Sequence, residues 1–285
     1  MTYATPGSWR QAVEARLSNQ ARATGVDLDR LRRRLVVGRI LVRLENHQPG
    51  RWILKGGMAL EFRIGDRARA TRDLDVVVRN AQGADETRAA LIACLATDPD
   101  EDRFEFIVGQ AQTIEPDEAG RPGWRFGLEA RLAGREFARV RIDVVARADE
   151  INNTERLLIG YELTFAGIQP TQVEVVDKRQ HFAEKLHAFT RDYGDRLNSR
   201  VRDLPDMVVL IHDGLDPDAA LRATVHHVFD TRGTHPLPED LPDPPAGWRD
   251  PYESLAAELD LAESTIDAAM ETLRGFWSEA RESKE

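Results

Sequence analysis

The stretch KGGMALEFRIGDRARATRDLDVV, residues 55–77, decides the fold of this chain. Two adjacent glycines, Gly56 and Gly57, follow a strand-like run and lead into an apolar segment typical of a short helix. An arginine-rich patch comes next, and two aspartates then begin a valine run. Glycine lets a backbone approach a ligand closely, and a helix start offers free N–H groups that suit phosphate. The stretch is therefore either a phosphate-binding turn beside a metal site, or a tight turn followed by a charged loop and a strand.

The aspartates in this stretch, Asp73 and Asp75, are separated by one residue. Alternate residues of a strand project from one face, about 6.5 Å apart, so both carboxylates point the same way. Asp143, in the alternating run RVRIDVV, lies on the polar face of a second predicted strand. Mg²⁺ prefers such oxygen ligands together with substrate phosphates. If the two strands are neighbours, the three carboxylates form a metal site; in the alternative, Asp73 ends a loop and Asp143 pairs with an arginine.

Periodicity predicts N-terminal helices, an α/β core and a helical C-terminal part. The domain boundary is predicted at residue 165, with the helices and core in 1–165 and a helical domain in 166–285. The first predicted elements are two helices over 8–46, with Ser8 as the first cap, and a strand, glycine turn, helix, loop and strand over 51–80. A helix over 84–98 with Leu91, Ile92 and Leu95 inward, a strand over 103–115 and a hairpin turning at Ala133–Gly134 follow. The C-terminal part is predicted to contain helices over VEVVDKRQHFAEKLHAFTRDYG, LPDMVVLIHDG and DPDAALRATVHHVFDTRG, a proline-rich loop that is mobile or draped over the surface, and one long last helix from Tyr252.

Bulk composition narrows the class of protein. The chain has 285 residues, 41% of them hydrophobic, which is enough for a buried core. A formal net charge of -10 argues against a nonspecific nucleic-acid coat but leaves room for one local basic groove. The single cysteine, Cys94, and the lack of a signal-peptide pattern predict a cytoplasmic location. No apolar run approaches the ~20 residues that a bilayer span needs, so no membrane partner is expected.

Three motifs, taken in order, resemble a known family. LKGGMALEFRIGDRARATRDLDVVV is similar to the first motif of the nucleotidyltransferase superfamily, and more closely to that of the AbiEii/AbiGii toxin family, which includes the mycobacterial MenT toxins. VRIDVV resembles the strand with the third acidic residue, and DKRQHFAEKLHAFTRDYGDRLNSRVRDLPDMVVL resembles the later segment with a helical lysine. The resemblance covers about residues 50–212. It implies an α+β fold with a polymerase-beta-like mixed sheet, N-terminal helices and a C-terminal helical domain.

The resemblance also implies a function. Relatives of the MenT type are metal-dependent toxins that transfer NMP from NTP to the 3′ acceptor end of tRNA, which blocks aminoacylation and translation. The implied cofactor is Mg²⁺ or Mn²⁺, and the implied partners are NTP, the tRNA acceptor stem and a cognate antitoxin encoded nearby. Asp73, Asp75 and Asp143 would hold the metal, and Asp143 would complete the site or activate the attacking hydroxyl. The other implied site residues bind the nucleotide or act at the phosphates: Gly56, Gly57, Met58, Arg72, Lys185, Arg200, Arg202 and Asp203.

One position departs from the family pattern. Met58 stands where superfamily members often place Ser or Thr against a terminal phosphate, and methionine cannot donate that hydrogen bond. Two alternatives therefore stay open beside the tRNA-modifying enzyme. In one, the acceptor is a small molecule such as an aminoglycoside, or a protein hydroxyl. In the other, which Met58 favours, the chain is a catalytically silent module that binds RNA or a partner.

Several site residues also have structural interpretations. Lys185 is either a phosphate contact or an ion-pair partner of Glu184 or Asp192, and Asp203 either belongs to the active site or caps a helix. Thr71 matches a hydroxyl residue that antitoxins phosphorylate in relatives. Five arginines near the site form either a groove for an RNA acceptor stem or an exposed loop: Arg63, Arg67, Arg69, Arg72 and Arg79. The histidines lack zinc-ligand spacing and are interpreted as structural: His181, His187, His212, His226 and His227.

Overall fold

The computed structural model describes residues 3–114, 121–146, 148–193 and 200–283. Residue 115 of a predicted strand and residues 194–199 of the later motif lie outside these ranges. The helices are α1 Pro6–Thr24, α2 Leu28–His47, α3 Gly56–Ile64, α4 Ala84–Leu95, α5 Lys178–Thr190, α6 Asp203–His212, α7 Ala219–Arg232, α8 Arg249–Glu258 and α9 Ile266–Glu282. The strands are β1 Trp52–Lys55, β2 Asp73–Val78, β3 Phe104–Ile114, β4 Gly123–Leu132, β5 Arg135–Val145, β6 Thr154–Ile159 and β7 Thr171–Val176.

All seven strands join one mixed sheet in the order β3–β4–β5–β2–β1–β7–β6. β2 runs parallel to β5, and β1 runs parallel to β7, whereas the other neighbours are antiparallel. The mixed sheet with helices before and after it confirms the predicted α+β class. The predicted hairpin turn is also present, since Ala133 and Gly134 both have positive φ between β4 and β5.

The two faces of the sheet differ in chemistry. On one face, Leu74, Val76 and Val78 of β2 are buried in the main core, which also contains the apolar sides of α1 and α2. On the other face, Val77 packs with Ile53 in a small apolar cluster. Alternation therefore leaves Asp73 and Asp75 on the second face, beside that cluster and away from the main core.

Side-chain contacts fix the start of the first helix and the position of the second. The first cap is Thr5 instead of the predicted Ser8: the Thr5 hydroxyl accepts from the Ser8 N–H, and the Ser8 hydroxyl accepts from the Thr5 N–H. Ser8 is thus the third residue of a capping box. The second helix is tied to the sheet by Arg43, which is fully buried and donates to both carboxylate oxygens of Asp102.

The C-terminal helices share a second core, to which α3 contributes Leu60 and Ile64. The predicted helix that starts with VEVV is wrong at its beginning, because these residues form β7, with Val175 paired to Leu54 of β1. The β-branched side chains fit a buried parallel strand, and Asp177 then caps α5. The sheet therefore extends past residue 165 to Val176.

Two further predictions are wrong, and the prediction of a surface loop is not. The single last helix is two helices, because the chain turns at Asp260, which has a positive φ, and Thr265 caps the second helix. Ile92 faces outward with 41% exposure instead of inward. The proline-rich loop lies on the surface and buries Leu241 and Trp248 in the second core.

Across the described residues, no helix is both long enough and apolar enough to cross a membrane.

Candidate active site

Four charged side chains form a row across the sheet. Lys55 of β1 pairs in register with Asp75 of β2, Asp75 pairs with Asp143 of β5, and Asp143 pairs with Arg125 of β4. Residues directly opposite each other on neighbouring strands project from the same face. The sheet therefore brings Asp75 and Asp143 together as their sequence patterns predict, with a cation at each end of the row. Asp73 lies on the same face, two residues earlier in β2.

Arginines engage two of the three carboxylates. Arg125 Nε and Nη2 lie 2.7 and 2.6 Å from the Asp143 oxygens, and Arg141 Nε lies 2.7 Å from an Asp73 oxygen. Such arginine pairing was the alternative interpretation of Asp143. Within the described residues, no three acidic, histidine or cysteine side chains gather closely enough to hold a metal ion in this arrangement. The oxygen donors and their placement on one face still suit a hard divalent cation, which would replace the arginine contacts.

Of the three carboxylates, Asp75 has no hydrogen bond to an arginine in the described structure, and its environment is unusual. Burial raises its pKa to about 6, because the surrounding protein atoms remove solvent from the charged form. The neighbouring Asp143 and Asp73 charges raise the pKa further, while Lys55 and Lys185 oppose them. The ionised form of Asp75 is thus disfavoured in the free protein, a penalty that a bound cation relieves.

The glycine turn is built against Asp75. Gly56 begins α3 with a φ of +65°, and a Cβ added there would lie 2.2 Å from Asp75 Oδ2. Glycine is therefore required both for the backbone conformation and for the close approach. Gly57 packs against Thr71, since a Cβ there would lie 3.1 Å from the Thr71 Cβ and Oγ1. Lys55, at the N-cap position of α3, makes no side-chain capping hydrogen bond, and Gly56 at the uncapped helix start lines the site.

Met58 points elsewhere. Its side chain is 1% exposed and belongs to the main hydrophobic core, so it does not line the site. The departure from a hydroxyl residue therefore removes a possible phosphate contact without placing an apolar side chain in the cleft.

Lys185 lies at the centre of a buried ion-pair group. Its Nζ is 2.6 Å from Asp206 Oδ2 and 3.1 Å from Asp203 Oδ1, and Arg69 also donates to Asp206. Burial lowers the pKa of Lys185, but Asp206 and Asp203 outweigh this effect, so the net pKa is raised and the ammonium stays charged. These partners differ from Glu184 and Asp192, the partners expected from sequence.

The later motif supplies the opposite wall. Asp203 begins α6, and its Oδ2 is buried without a hydrogen-bond partner in the described part of the chain. Arg200 Nη1 lies 4.0 Å from that oxygen, and both residues line the site. Arg202 is exposed and Arg72 lies on another part of the sheet face, so these two predicted contacts do not line the site.

These groups surround a cleft of about 450 Å³. This volume is within the range of about 300–1,000 Å³ that is usual for ligand sites. Its lining includes Lys55, Gly56, Asp75, Arg125, Asp143, His181, Glu184, Lys185, Arg200 and Asp203. Ammonium and guanidinium groups lie beside carboxylates around the cleft, an arrangement that suits a polyphosphate with a metal ion.

Five charged or polar residues of the cleft were not identified from sequence as part of the site: Lys55, Arg125, His181, Glu184 and Arg232. His181 is 1% exposed, and neither ring nitrogen has a hydrogen-bond partner in the described structure. Burial, with the nearby Lys185 and Arg63 charges, holds the pKa of His181 well below its usual value, so the ring is neutral. Glu184 forms an ion pair with Lys55 at 2.5 Å. The helical spacing of His181, Glu184 and Lys185 was the only sequence signal available for this shared face.

The groove predicted from five arginines is not formed. Four of them pair with carboxylates from distant segments, which directs them away from a common surface. The pairs are Arg63 with Glu155, Arg67 with Asp213, Arg69 with Asp206 and Arg79 with Glu174. Arg72 lines a cavity on the sheet face, and Arg79 lines a separate cavity beside Arg51.

Comparison with known proteins agrees with this fold. The family model described as nucleotidyl transferase AbiEii toxin, type IV TA system, matches residues 39–272. No curated protein matches the chain. MenT4, a nucleotidyltransferase toxin from Mycobacterium tuberculosis H37Rv, has a similar structure with a TM-score of 0.58 at 20% identity, covering 95% of this chain and 90% of that one. An antigenic nucleotidyltransferase-like protein from Paracoccidioides brasiliensis gives a TM-score of 0.42 at 14% identity, covering 82% of this chain and 97% of that one.

MenT4 supports the fold, and the family model spans the glycine turn, all three aspartates and the C-terminal helices that close the cleft. The chain therefore belongs to the AbiEii family of nucleotidyltransferase toxins of type IV toxin–antitoxin systems.

Proposed function

We propose that the chain transfers NMP from an NTP to the 3′ acceptor end of tRNA, and that this modification blocks aminoacylation and translation. The observation that carries the proposal is the row formed by Lys55, Asp75, Asp143 and Arg125, which faces the uncapped start of α3 across one cleft. A triphosphate needs backbone N–H groups and cations, whereas the reacting centre needs carboxylates. The cleft offers both within one volume.

In this proposal, the polyphosphate lies along the start of α3, with Lys185 and Arg200 as cationic contacts. The Gly56 backbone allows the close approach because no Cβ intervenes. Asp203 and Asp206 act through Lys185, since they hold its ammonium in place and charged. Met58 takes no part through its side chain, which removes the feature that favoured a silent binding module.

The chemical step is a substitution at phosphorus. The acceptor 3′ oxygen forms a bond to the α-phosphorus, the bond from that phosphorus to the bridging oxygen breaks, and pyrophosphate leaves. The hydroxyl proton passes to a carboxylate of the row. Asp73, Asp75 and Asp143 would hold Mg²⁺ or Mn²⁺, which when bound neutralises phosphate charge. The remaining contribution of the chain is positioning, which is a large part of catalysis for this class of reaction.

A labelled-nucleotide assay tests the proposal. Purified protein is incubated with total tRNA and each of the four α-labelled NTPs, with a divalent cation, in parallel with Asp73→Ala. We expect label at the tRNA 3′ end with the wild-type chain and none with the variant. Label on a small molecule or on protein, with none on RNA, would instead support the alternative acceptors. Growth inhibition that survives Asp73→Ala would support a binding module.

The cognate antitoxin and the cellular location stay predictions. A cognate antitoxin follows from the family, and the gene next to this one is the first candidate for it. A cytoplasmic location remains the prediction from the single cysteine.

A further inference from the structure

A second cavity, of about 590 Å³, lies on the same face of the sheet as the cleft. Arg141 and Arg139 of β5 line it, and they precede Asp143 by two and four residues on the same side of the strand. At a rise of about 3.4 Å per residue, the cavity extends to about 13 Å from the carboxylate row. Arg141 contacts Asp73, so the cavity and the carboxylates adjoin without a gap.

The floor of this cavity is flat and partly apolar. Gly127 of β4 lies opposite Arg141, and a Cβ built there meets nothing within 4 Å, so space is open above its backbone. Gly109 of β3 lies close beside Gly127, and Ile107 on the same floor is 47% exposed. Bare backbone and aliphatic side chains form a surface on which a planar ring or a ribose can rest.

The rim is cationic. Arg33, Arg72, Arg139 and Arg141 line the cavity, and Glu129 is the one acidic side chain that lines it in the described part of the chain. Arg139 and Arg141 are 70% and 53% exposed, and Arg72 has no ion-pair partner in the described structure. The chain as a whole has a formal net charge of -10, so this local excess of positive charge is a specific feature of the surface. It complements phosphates.

We propose that this second cavity binds the nucleotides that precede the 3′-terminal hydroxyl of a single-stranded RNA acceptor. The inference rests on the proposed function, because the polyphosphate fills the cleft at the Lys55 and Lys185 end. The acceptor must then approach Asp73 and Asp75 from the other side, where the cavity lies. Phosphates of the strand contact Arg72, and the remaining rim arginines flank its path. Bases or riboses lie on the floor around Gly127.

Two substitutions test the cavity without touching the cleft. Gly127→Leu fills the floor, and it should fold because Gly127 has no positive φ and no neighbour near its missing Cβ. Arg139→Glu reverses a rim charge on an exposed side chain. Arg135→Glu is the matched control, since Arg135 is an exposed residue of the same strand near the hairpin turn that does not line the cavity.

The assay measures NMP transfer to a single-stranded oligoribonucleotide with a free 3′ hydroxyl, over a range of oligonucleotide, NTP and salt concentrations. We expect both variants to raise the KM for the oligonucleotide about tenfold relative to the KM for NTP. Arg139→Glu should also reduce the slope of log affinity against log salt by about 1. Circular dichroism and thermal melts of each variant show that the fold is retained.

The outcomes separate the two proposals. If wild-type protein transfers NMP to RNA and both cavity variants behave like Arg135→Glu, the acceptor cavity is wrong and the proposed function stands. If wild-type protein labels no RNA at all, the proposed function is wrong and the acceptor cavity falls with it.

Discussion

Asp75→Asn should make the free protein more stable while it abolishes activity. A carboxyl whose pKa is raised by folding binds its proton more tightly in the folded state. The stability that the proton on Asp75 contributes is present below the unfolded pKa and is lost as pH rises through about 6. At about pH 8 the wild-type chain holds Asp75 ionised against burial and two neighbouring carboxylates. Asparagine has the same shape and no charge, so the variant avoids this penalty.

The magnitude follows from the pKa of Asp75. A tenfold change in proton affinity corresponds to about 1.36 kcal/mol, so the change from an ordinary 3.8 to about 6 is on the order of 3 kcal/mol. Solvent in the open cleft screens part of this energy, and we expect a gain of about 1–3 kcal/mol at about pH 8. For a chain of this size the gain corresponds to a Tm increase of about 2–10 °C. Near pH 4 the gain should vanish.

Urea unfolding of both proteins at about pH 8 and pH 4 measures this difference. Asp213→Asn is the control with the opposite sign: burial raises the pKa of Asp213, but Lys178 and Arg67 outweigh burial and lower it. The stability that ionised Asp213 contributes is therefore present above the unfolded pKa and lost as pH falls through the folded pKa. Asp213→Asn should destabilise the folded chain at about pH 8. An Asp75→Asn variant that is less stable than wild type at about pH 8, or equally stabilised at pH 4, would refute the assigned electrostatics of the row.

Three other substitutions have outcomes that the contacts define. Gly56→Ala should destabilise the chain by about 2 kcal/mol or more and abolish transfer, because its Cβ would lie 2.2 Å from Asp75 Oδ2, as thermal melts and the transfer assay would show. Lys185→Met should lower the free energy of unfolding by about 3–5 kcal/mol, measured in urea, because it leaves the buried Asp206 short of one cation. His181→Leu should leave stability unchanged or raise it by about 1 kcal/mol, because both ring nitrogens are unpartnered, yet weaken binding of a non-hydrolysable NTP in calorimetry.

Matched variants isolate each effect. Gly65→Ala introduces a Cβ into open space at the same φ of +65°, so it causes the backbone strain without the clash. Equal effects of alanine at Gly56 and Gly65 would contradict the close approach of Gly56 to Asp75. Lys178→Met removes a more exposed ion pair and should cost about 1 kcal/mol or less. His226→Leu alters an exposed histidine and should leave nucleotide affinity as it is; an identical result for His181→Leu would make that residue structural only.

Sequence predicted those parts of the site that depend on local periodicity. The spacing of Asp73 and Asp75 and the alternation around Asp143 assign all three to polar faces, and the glycine turn before a short helix is as expected. These features need only the two-residue period of a strand and the conformational freedom of glycine. The parallel pairing of β2 with β5, which places Asp75 beside Asp143, is a long-range feature that this period does not determine.

The partner of Asp143 was not predictable, because it depends on a bulge. Next to the hairpin turn, Arg131 pairs with Glu136, and a regular ladder would place Arg125 opposite Ile142. The register shifts by one between Ala130 and Arg131, so Arg125 faces Asp143 instead. A one-residue shift moves a side chain to a different row, and nothing in the local pattern announces it.

The helical wall of the cleft depends on long-range packing. His181 and Lys185 lie one turn apart on α5, but only the docking of α5 against the start of α3 makes their face a cleft wall. The arginine-rich patch was misjudged for the same reason, since its partners Glu155 and Asp213 come from segments about 90 and 146 residues away. The number of charges along the chain does not reveal which carboxylates pair with these arginines.

A crystal structure of the chain with Mn²⁺ and an NTP analogue that cannot release pyrophosphate would show whether the cleft binds nucleotide and metal together. We expect polyphosphate within hydrogen-bond distance of the backbone N–H groups at the start of α3, and a manganese anomalous peak beside Asp75. Nucleotide bound outside the cleft, or manganese distant from Asp73, Asp75 and Asp143, would contradict this expectation.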